Sequence, residues 1–381
     1  MVQYGADRVP EYRHLFEGRV ALLTGPSGRT GDNRPTIDVL KENCNLCLLL
    51  APEHGVRGDK AAGALFEDEI DRESGLTVRS LYTKTSKRLS PETLALFDTL
   101  VYDLADVGCR YYTFLTTLRY CIEDCAAAGK RLVVLDRPNP LGDRVEGGLL
   151  QPETQSFVGG YPMPVCYGLT CGELAEMMNE ELGCRCDLQI VPCGGLTRQM
   201  TFRDWGHCWV MPSLGIPRYE TALLYPGTCL IEGTNLSEGR GTADPFGIIG
   251  APFIQAEEFC RAFNALGLPG VEATPVYFNP TTSKHQGSLC GGIQLHIMDE
   301  KAIQPVALGV RLLDLVRRMY PDDFAFLPPV RQDGKPFISL LAGHRKFENP
   351  NWNADEILAR YEAESRAFRA RKAPYERYPK E

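Results

Sequence analysis

The chain has 381 residues, 44% of them hydrophobic, which is enough for a large buried core and favours two domains over one. Its net charge of −8 argues against a polyanion-binding surface, so nucleic acid is not an expected partner and a small or neutral ligand is. The opening residues Met1 to Glu11 carry neither the basic nor the apolar region of a secretory leader, and no run nears the roughly 20 apolar residues of a membrane span, so a cytoplasmic protein without membrane attachment is expected.

Fourteen cysteines fall largely inside predicted strands and helices, as at Cys44, Cys47, Cys121 and Cys125, and read as reduced, buried hydrophobes. Cys184-Arg-Cys186 with Cys193 lacks the second pair and the neighbouring His of a zinc site, so no metal is expected.

Short apolar runs alternate with helical-period segments through the first half, the pattern of βαβ units building a parallel sheet. Val20 to Thr24 is the first predicted strand. Leu46 to Leu50, Leu100 to Tyr102 and Leu132 to Leu135 follow, and their lack of polar alternation predicts burial on both faces. Ser90-Pro91-Glu92 opens a helix with a capping hydroxyl and a proline suited to the first turn. Phe114 to Ala128 forms another, ended by Gly129. Thr170 and Glu173 make a capping box ahead of Leu174, Met177 and Met178, and a strand at Leu188 to Val191 comes next.

Beyond Trp209, Pro212 to Pro217 and Tyr225-Pro-Gly-Thr228 mark a domain boundary near residue 226. The division is therefore 1–226, an α/β domain, and 227–381, a smaller α+β domain. The second contains helices around Ala256 to Leu266 and Ala302 to Met319, and a strand at Gly292 to Ile297. It ends in a charged helix from Asn353 to Arg371, with Asn353 and Glu356 as cap and partner.

In an open parallel sheet, ligands bind outside the carboxyl ends of the strands. Acids follow three predicted strands: Glu53 in Ala51-Pro-Glu-His-Gly55, Asp103 with Asp106, and Asp136 in Asp136-Arg-Pro-Asn-Pro140. Gathering carboxylates on one rim raises the proton affinity of at least one, as a general acid near neutral pH requires. Glu53 is the leading acid/base candidate, and a kinked turn would bring His54 inward beside it. Asp103 and Asp106 serve equally well as caps of the following helix. Two prolines hold the Asp136 loop in one shape, and Arg137 and Asn139 are donors suited to sugar hydroxyls and carboxylates. The competing reading is a turn closed by an Asp–Arg ion pair.

In the second half, Leu230 to Thr242 spaces Glu232, Asn235, Glu238 and Arg240 among glycines that allow close backbone approach to a ligand. The sequence has no phosphate-loop lysine, no G-x-G-x-x-G after the first strand, no G-x-S-x-G elbow and no H-E-x-x-H helix. Carboxylate chemistry without a cofactor is what remains.

Taken in order, these segments resemble the exo-β-N-acetylmuramidases of the NamZ type. The matching landmarks are Leu22-Leu-Thr24, Ala51-Pro-Glu-His-Gly-Val-Arg-Gly58, Ser80-Leu-Tyr82, Asp106-Val-Gly-Cys-Arg-Tyr-Tyr-Thr113, Val134-Leu-Asp-Arg-Pro-Asn-Pro-Leu-Gly142, Val145-Glu-Gly147 and the run from Tyr225 to Thr242. They span nearly the whole chain.

The resemblance implies a Rossmann-like parallel-sheet N-terminal domain, a smaller C-terminal domain and a site in the cleft between them. It implies hydrolysis of terminal non-reducing N-acetylmuramic acid from a muropeptide or MurNAc-GlcNAc disaccharide, with Glu53 as the catalytic residue. Asp106, Glu232 or Glu238 would then activate water or stabilise an oxocarbenium-like transition state, the alternative being assistance by the substrate's 2-acetamido group. The lactyl carboxylate calls for a cation, and Arg57, Arg110, Arg137 and Arg240 all qualify. Tyr111, Asp136, Asn139 and Asn235 complete the expected substrate contacts.

One departure is the first loop, where the family usually has Thr-Asn-Gln-Thr-Gly and this chain has Thr24-Gly-Pro-Ser-Gly28. The expected setting is intracellular breakdown of imported fragments in cell wall recycling. Two rival classes are a muropeptide-binding protein without turnover and a glycosyltransferase using a nucleotide sugar. The sequence leaves the oligomeric state open.

Overall fold

The computed structural model describes residues 1–53, 55–58, 68–81, 86–330 and 334–381. In chain order the strands are β1 (Val20–Thr24), β2 (Leu46–Ala51), β3 (Glu69–Ile70), β4 (Thr77–Ser80), β5 (Thr99–Asp103), β6 (Arg131–Leu135), β7 (Val145–Glu146), β8 (Cys166–Tyr167), β9 (Asp187–Val191), β10 (Ile248–Ala251), β11 (Val271–Phe278) and β12 (Cys290–Ile297). The helices are α1 (Thr36–Asn43), α2 (Pro91–Leu94), α3 (Phe114–Ala128), α4 (Cys171–Glu181), α5 (Tyr219–Thr228), α6 (Ala256–Asn264), α7 (Pro305–Met319), α8 (Phe337–Ala342) and α9 (Ala354–Lys372).

Seven strands form the main sheet in the order β3-β4-β2-β1-β5-β6-β9, parallel throughout except for the short edge pair β3 and β4. Alternate side chains of its central strands enter two different cores, which is why the sequence shows no polar alternation there. Val20, Leu22, Leu49, Val101 and Val133 meet the N-terminal segment and α1 on one face. Ala21, Leu23, Leu50, Tyr102 and Val134 meet α3 and α4 on the other. That second core runs without a break into the C-terminal half, whose antiparallel sheet has the order β10-β12-β11 and carries α6 and α7.

The expected boundary at residue 226 lies inside α5. Pro226-Gly227 is helical here, and its glycine is a packing feature. A Cβ on Gly227 would sit 1.8 Å from the Pro305 carbonyl oxygen, so only glycine lets α5 cross α7 at Gly309. The last helix returns to the first half. Lys372 donates to the Gly168 carbonyl and the Tyr378 hydroxyl donates to Asp136.

The caps agree with the sequence. Ser90 accepts from Thr93 N–H, Thr170 and Glu173 form the reciprocal box, and Asn353 accepts from Asp355 and Glu356 N–H. The helix after Ser90 is a single turn, however, because Ala95 to Asp98 turn straight into β5. Ten of the fourteen cysteines are buried, and all fourteen are free thiols. Among the described residues no helix is long and apolar enough to cross a membrane.

Candidate active site

A cleft opens where the β2 and β5 ends face the segment after α5. Glu53 follows β2 directly, is half-buried and lines this cleft. Its Oε2 accepts from the Thr113 hydroxyl at 3.1 Å, and Thr113 is the residue that begins α3. The same cleft is lined by Glu232, in the tight turn Cys229–Gly233 that continues α5, and by Arg240. Arg240 donates from Nε (2.8 Å) and Nη2 (2.7 Å) to the same oxygen, Oε1 of Glu232.

Burial pushes the Glu232 carboxyl above the usual carboxylate range, against the opposing pull of Arg240. Glu238 does not line the cleft. It is 2% exposed, sits behind Arg240 at 3.5 Å and pairs with Lys284 at 2.9 Å. Arg240 is thus held between two carboxylates, and Lys284 keeps the rear one neutralised while also donating to the Ile231 and Thr234 carbonyls.

Aromatic rings floor the cleft. Tyr225 packs edge-on to Tyr111 (5.9 Å between centroids) and Phe246 (4.8 Å), and the Arg240 guanidinium lies 5.0 Å from the Phe246 ring. Phe246 is fully buried with φ of 63°, a conformation that bulky side chains rarely adopt and that tends to occur where function over-determines the backbone. Tyr111 lines the same space, with its hydroxyl donating to the Pro226 carbonyl.

The remaining expected contacts lie elsewhere, each engaged by the protein itself. Arg57 forms a two-bond pair with Asp71 at 2.9 and 2.7 Å. Arg110 is fully buried and donates to the carbonyls of Gly148, Met163 and Leu341, so its charge fastens three segments together. Arg137 pairs with Asp103 at 2.6 Å rather than with its neighbour Asp136. Asp136 accepts from Thr170, the Gly172 N–H, the Arg137 N–H and Tyr378, which makes it an anchor for α4 and the C-terminus. Asn139 bonds Leu169 and Leu141, and Asn235 bonds Asp323 and Ala325. Asp106 accepts from Gly108 N–H and Tyr167 and lines a different cavity. His54 lies outside the described residues.

Sequence reading missed Thr113, Tyr225, Phe246 and Lys284. Tyr225 was hidden by the Pro-Gly that follows it, and Lys284 pairs across 46 residues of chain with nothing local to mark it.

Models of the two halves of the exo-β-N-acetylmuramidase NamZ family match residues 20–220 and 223–378. The chain is 41% identical to the peptidoglycan β-N-acetylmuramidase NamZ of Bacillus subtilis (strain 168), over 98% of this chain and 91% of that protein. Two crystal structures of DUF1343 family proteins from Bacteroides fragilis NCTC 9343 share the fold. One has a TM-score of 0.89 at 32% identity, covering 99% of both chains, and the other 0.79 at 29%, covering all of both.

Proposed function

The chain belongs to the NamZ exo-β-N-acetylmuramidase family and is a glycosidase acting on peptidoglycan, and we propose that Glu53 and Glu232 are the carboxylates between which it cleaves the terminal N-acetylmuramic acid bond. The observation that carries this reading is that both line one cleft, whereas Asp103 and Asp136 are tied to other parts of the fold and Asp106 lines a different cavity. Glu53 protonates the glycosidic oxygen. Glu232 takes the proton of an attacking water, or orients the substrate's acetamido group. Burial raises the proton affinity of Glu232, and the Arg240 guanidinium opposes that rise.

Arg240 is the cation of the four expected that reaches this space. It presents its remaining edge to a lactyl carboxylate while holding Glu232. The ring-lined floor offers an apolar face for the sugar. Fourteen free thiols favour a reducing compartment, which fits breakdown of imported wall fragments inside the cell.

The test is incubation of the purified protein with a MurNAc-GlcNAc disaccharide and with the inverse GlcNAc-MurNAc disaccharide. Free N-acetylmuramic acid from the first and no cleavage of the second are expected. Cleavage of both, or of neither, contradicts the reading.

A further inference from the structure

The segment that carries Glu232 and Arg240 is braced by a hairpin of the C-terminal sheet. β11 and β12 pair as far as Phe278 and Cys290, and the loop 279–289 between them folds onto residues 231–241. The Thr281 N–H and hydroxyl both donate to the Gly241 carbonyl, at 3.0 and 2.9 Å, and His285 Nε2 donates to the Asn235 carbonyl at 2.6 Å. Gly241 allows this approach, because a Cβ there would lie 2.5 Å from the Thr282 nitrogen.

Lys284 occupies the middle of the loop. Ser283 (φ 69°) and His285 (φ 59°) flank it, two of the five non-glycine residues with positive φ among the described residues. Such backbone persists where the surrounding contacts over-determine it, so the placing of Lys284 is built into the fold. Its ammonium donates to the Ile231 (2.8 Å) and Thr234 (2.9 Å) carbonyls and lies 2.9 Å from Glu238 Oε2. Lys284 does not line the cleft, so any influence it has on the reaction passes through other residues.

The route is a competition between two acids for one guanidinium. Arg240 donates to Glu232 at 2.7 and 2.8 Å, and its Nε is 3.5 Å from Glu238 Oε1. Glu238 is 2% exposed, and a carboxylate so far removed from water requires a cation. Lys284 meets that requirement. Without it, Glu238 would keep only the Ser283 hydroxyl, at 3.4 Å, and whatever share of Arg240 it could draw away from Glu232.

The other groups that face Glu232 are the Cys229 thiol, 3.8 Å from Oε2, the Tyr225 phenol, and Glu53 in the same cleft. Burial pushes the thiol and the phenol well up, so both stay neutral near neutral pH. Of the helices packed against this turn, α8 has no ionisable side chain, and the charged residues of α7 pair among themselves or with Asp355.

We propose that Lys284 is a positioning residue for the cleavage: by neutralising Glu238 it leaves Arg240 committed to Glu232, and so fixes the orientation and charge of that carboxylate in the cleft. The inference rests on the assignment of Glu232 to the reaction.

The experiment follows kcat/KM against pH for a chromogenic N-acetylmuramide in wild type, Lys284→Met, Glu238→Gln, the double variant Lys284→Met with Glu238→Gln, and Glu232→Gln. Turnover needs Glu232 ionised, so the acidic limb follows its carboxyl. In Lys284→Met the ionised Glu238 competes for Arg240, and the limb should move up by about one pH unit while the plateau falls about tenfold. Glu238→Gln removes the competitor. It should move the limb down on its own and bring it back toward the wild-type position in the double variant. A purely structural role for Lys284 predicts the opposite, since the double variant has lost more contacts than either single one.

A limb that stays in place in Lys284→Met, or that Glu238→Gln does not bring back, overturns the proposal. If Lys284→Met fails to fold, Glu238→Gln alone decides, and a limb that does not move down overturns it. Turnover kept in Glu232→Gln overturns the reading of the catalytic pair and this inference with it. Turnover lost there, together with an unmoved limb in Lys284→Met, strikes this inference alone.

Discussion

The acids after β5 and β6 and the acids at Glu53 and Glu232 look alike in sequence, yet they have opposite fates. Asp103 and Asp136 are fully buried and tied into the fold, Asp103 to Arg137 and Asp136 to α4 and the C-terminus. Glu53 and Glu232 keep part of their surface open to one cleft. A strand end therefore supplies a carboxylate, but the partners that fold against it decide whether it serves chemistry or architecture. Arg110 and Arg240 repeat the contrast among cations: one is spent on three backbone carbonyls, the other stands in the cleft wall.

Substitutions should separate the two groups. Glu53→Gln is expected to lose about a thousandfold or more in kcat with an unchanged melting temperature, read by release from a chromogenic N-acetylmuramide. Arg110→Met should do the reverse, losing on the order of 3 kcal/mol of stability in urea unfolding while the folded fraction keeps its kcat, because three carbonyls are left unpaired. Arg240→Gln should cost about tenfold in kcat. It should also move the acidic limb of the pH profile upward, since Arg240 is what holds the Glu232 carboxyl down. A pure packing role for Arg240 would leave that limb in place.

The smallest effect is on stability against pH. Burial pushes Asp106 and Asp136 up to about 6 and Glu146 up to about 7. Raised carboxyls favour the folded state when protonated, and this contribution fades as pH rises through 6 to 7. Below the ordinary carboxylate range the sign reverses, because Arg19 holds Asp98 down at about 2 and Arg57 holds Asp71 well below its usual value. A melting temperature a few degrees higher at pH 5.5 than at pH 8 is expected from calorimetry.

The central strands were legible because burial on both faces leaves a continuous apolar run, as in Val20–Thr24 and Arg131–Leu135. The edge strand Thr77–Ser80 and the half-exposed Val271–Phe278 lack that signature and were not foreseen. Tyr225-Pro-Gly marks a boundary in the sequence because proline and glycine commonly punctuate loops, and in the fold the same residues also seat one helix on another. In the site, Glu53, Glu232 and Arg240 were visible as charge among glycines. The neutralisation of Arg57 by Asp71 and of Arg137 by Asp103 was not, since such partners meet only in the fold. The left-handed Phe246 has no sequence signature at all.

The central claim is that one glycosidic bond sits between Glu53 and Glu232. A crystal structure of the Glu53→Gln protein with uncleaved MurNAc-GlcNAc tests it most directly. The account predicts the bridging oxygen within about 3 Å of the residue 53 side chain and the anomeric carbon facing Glu232. A disaccharide bound with its scissile bond remote from both side chains would contradict it.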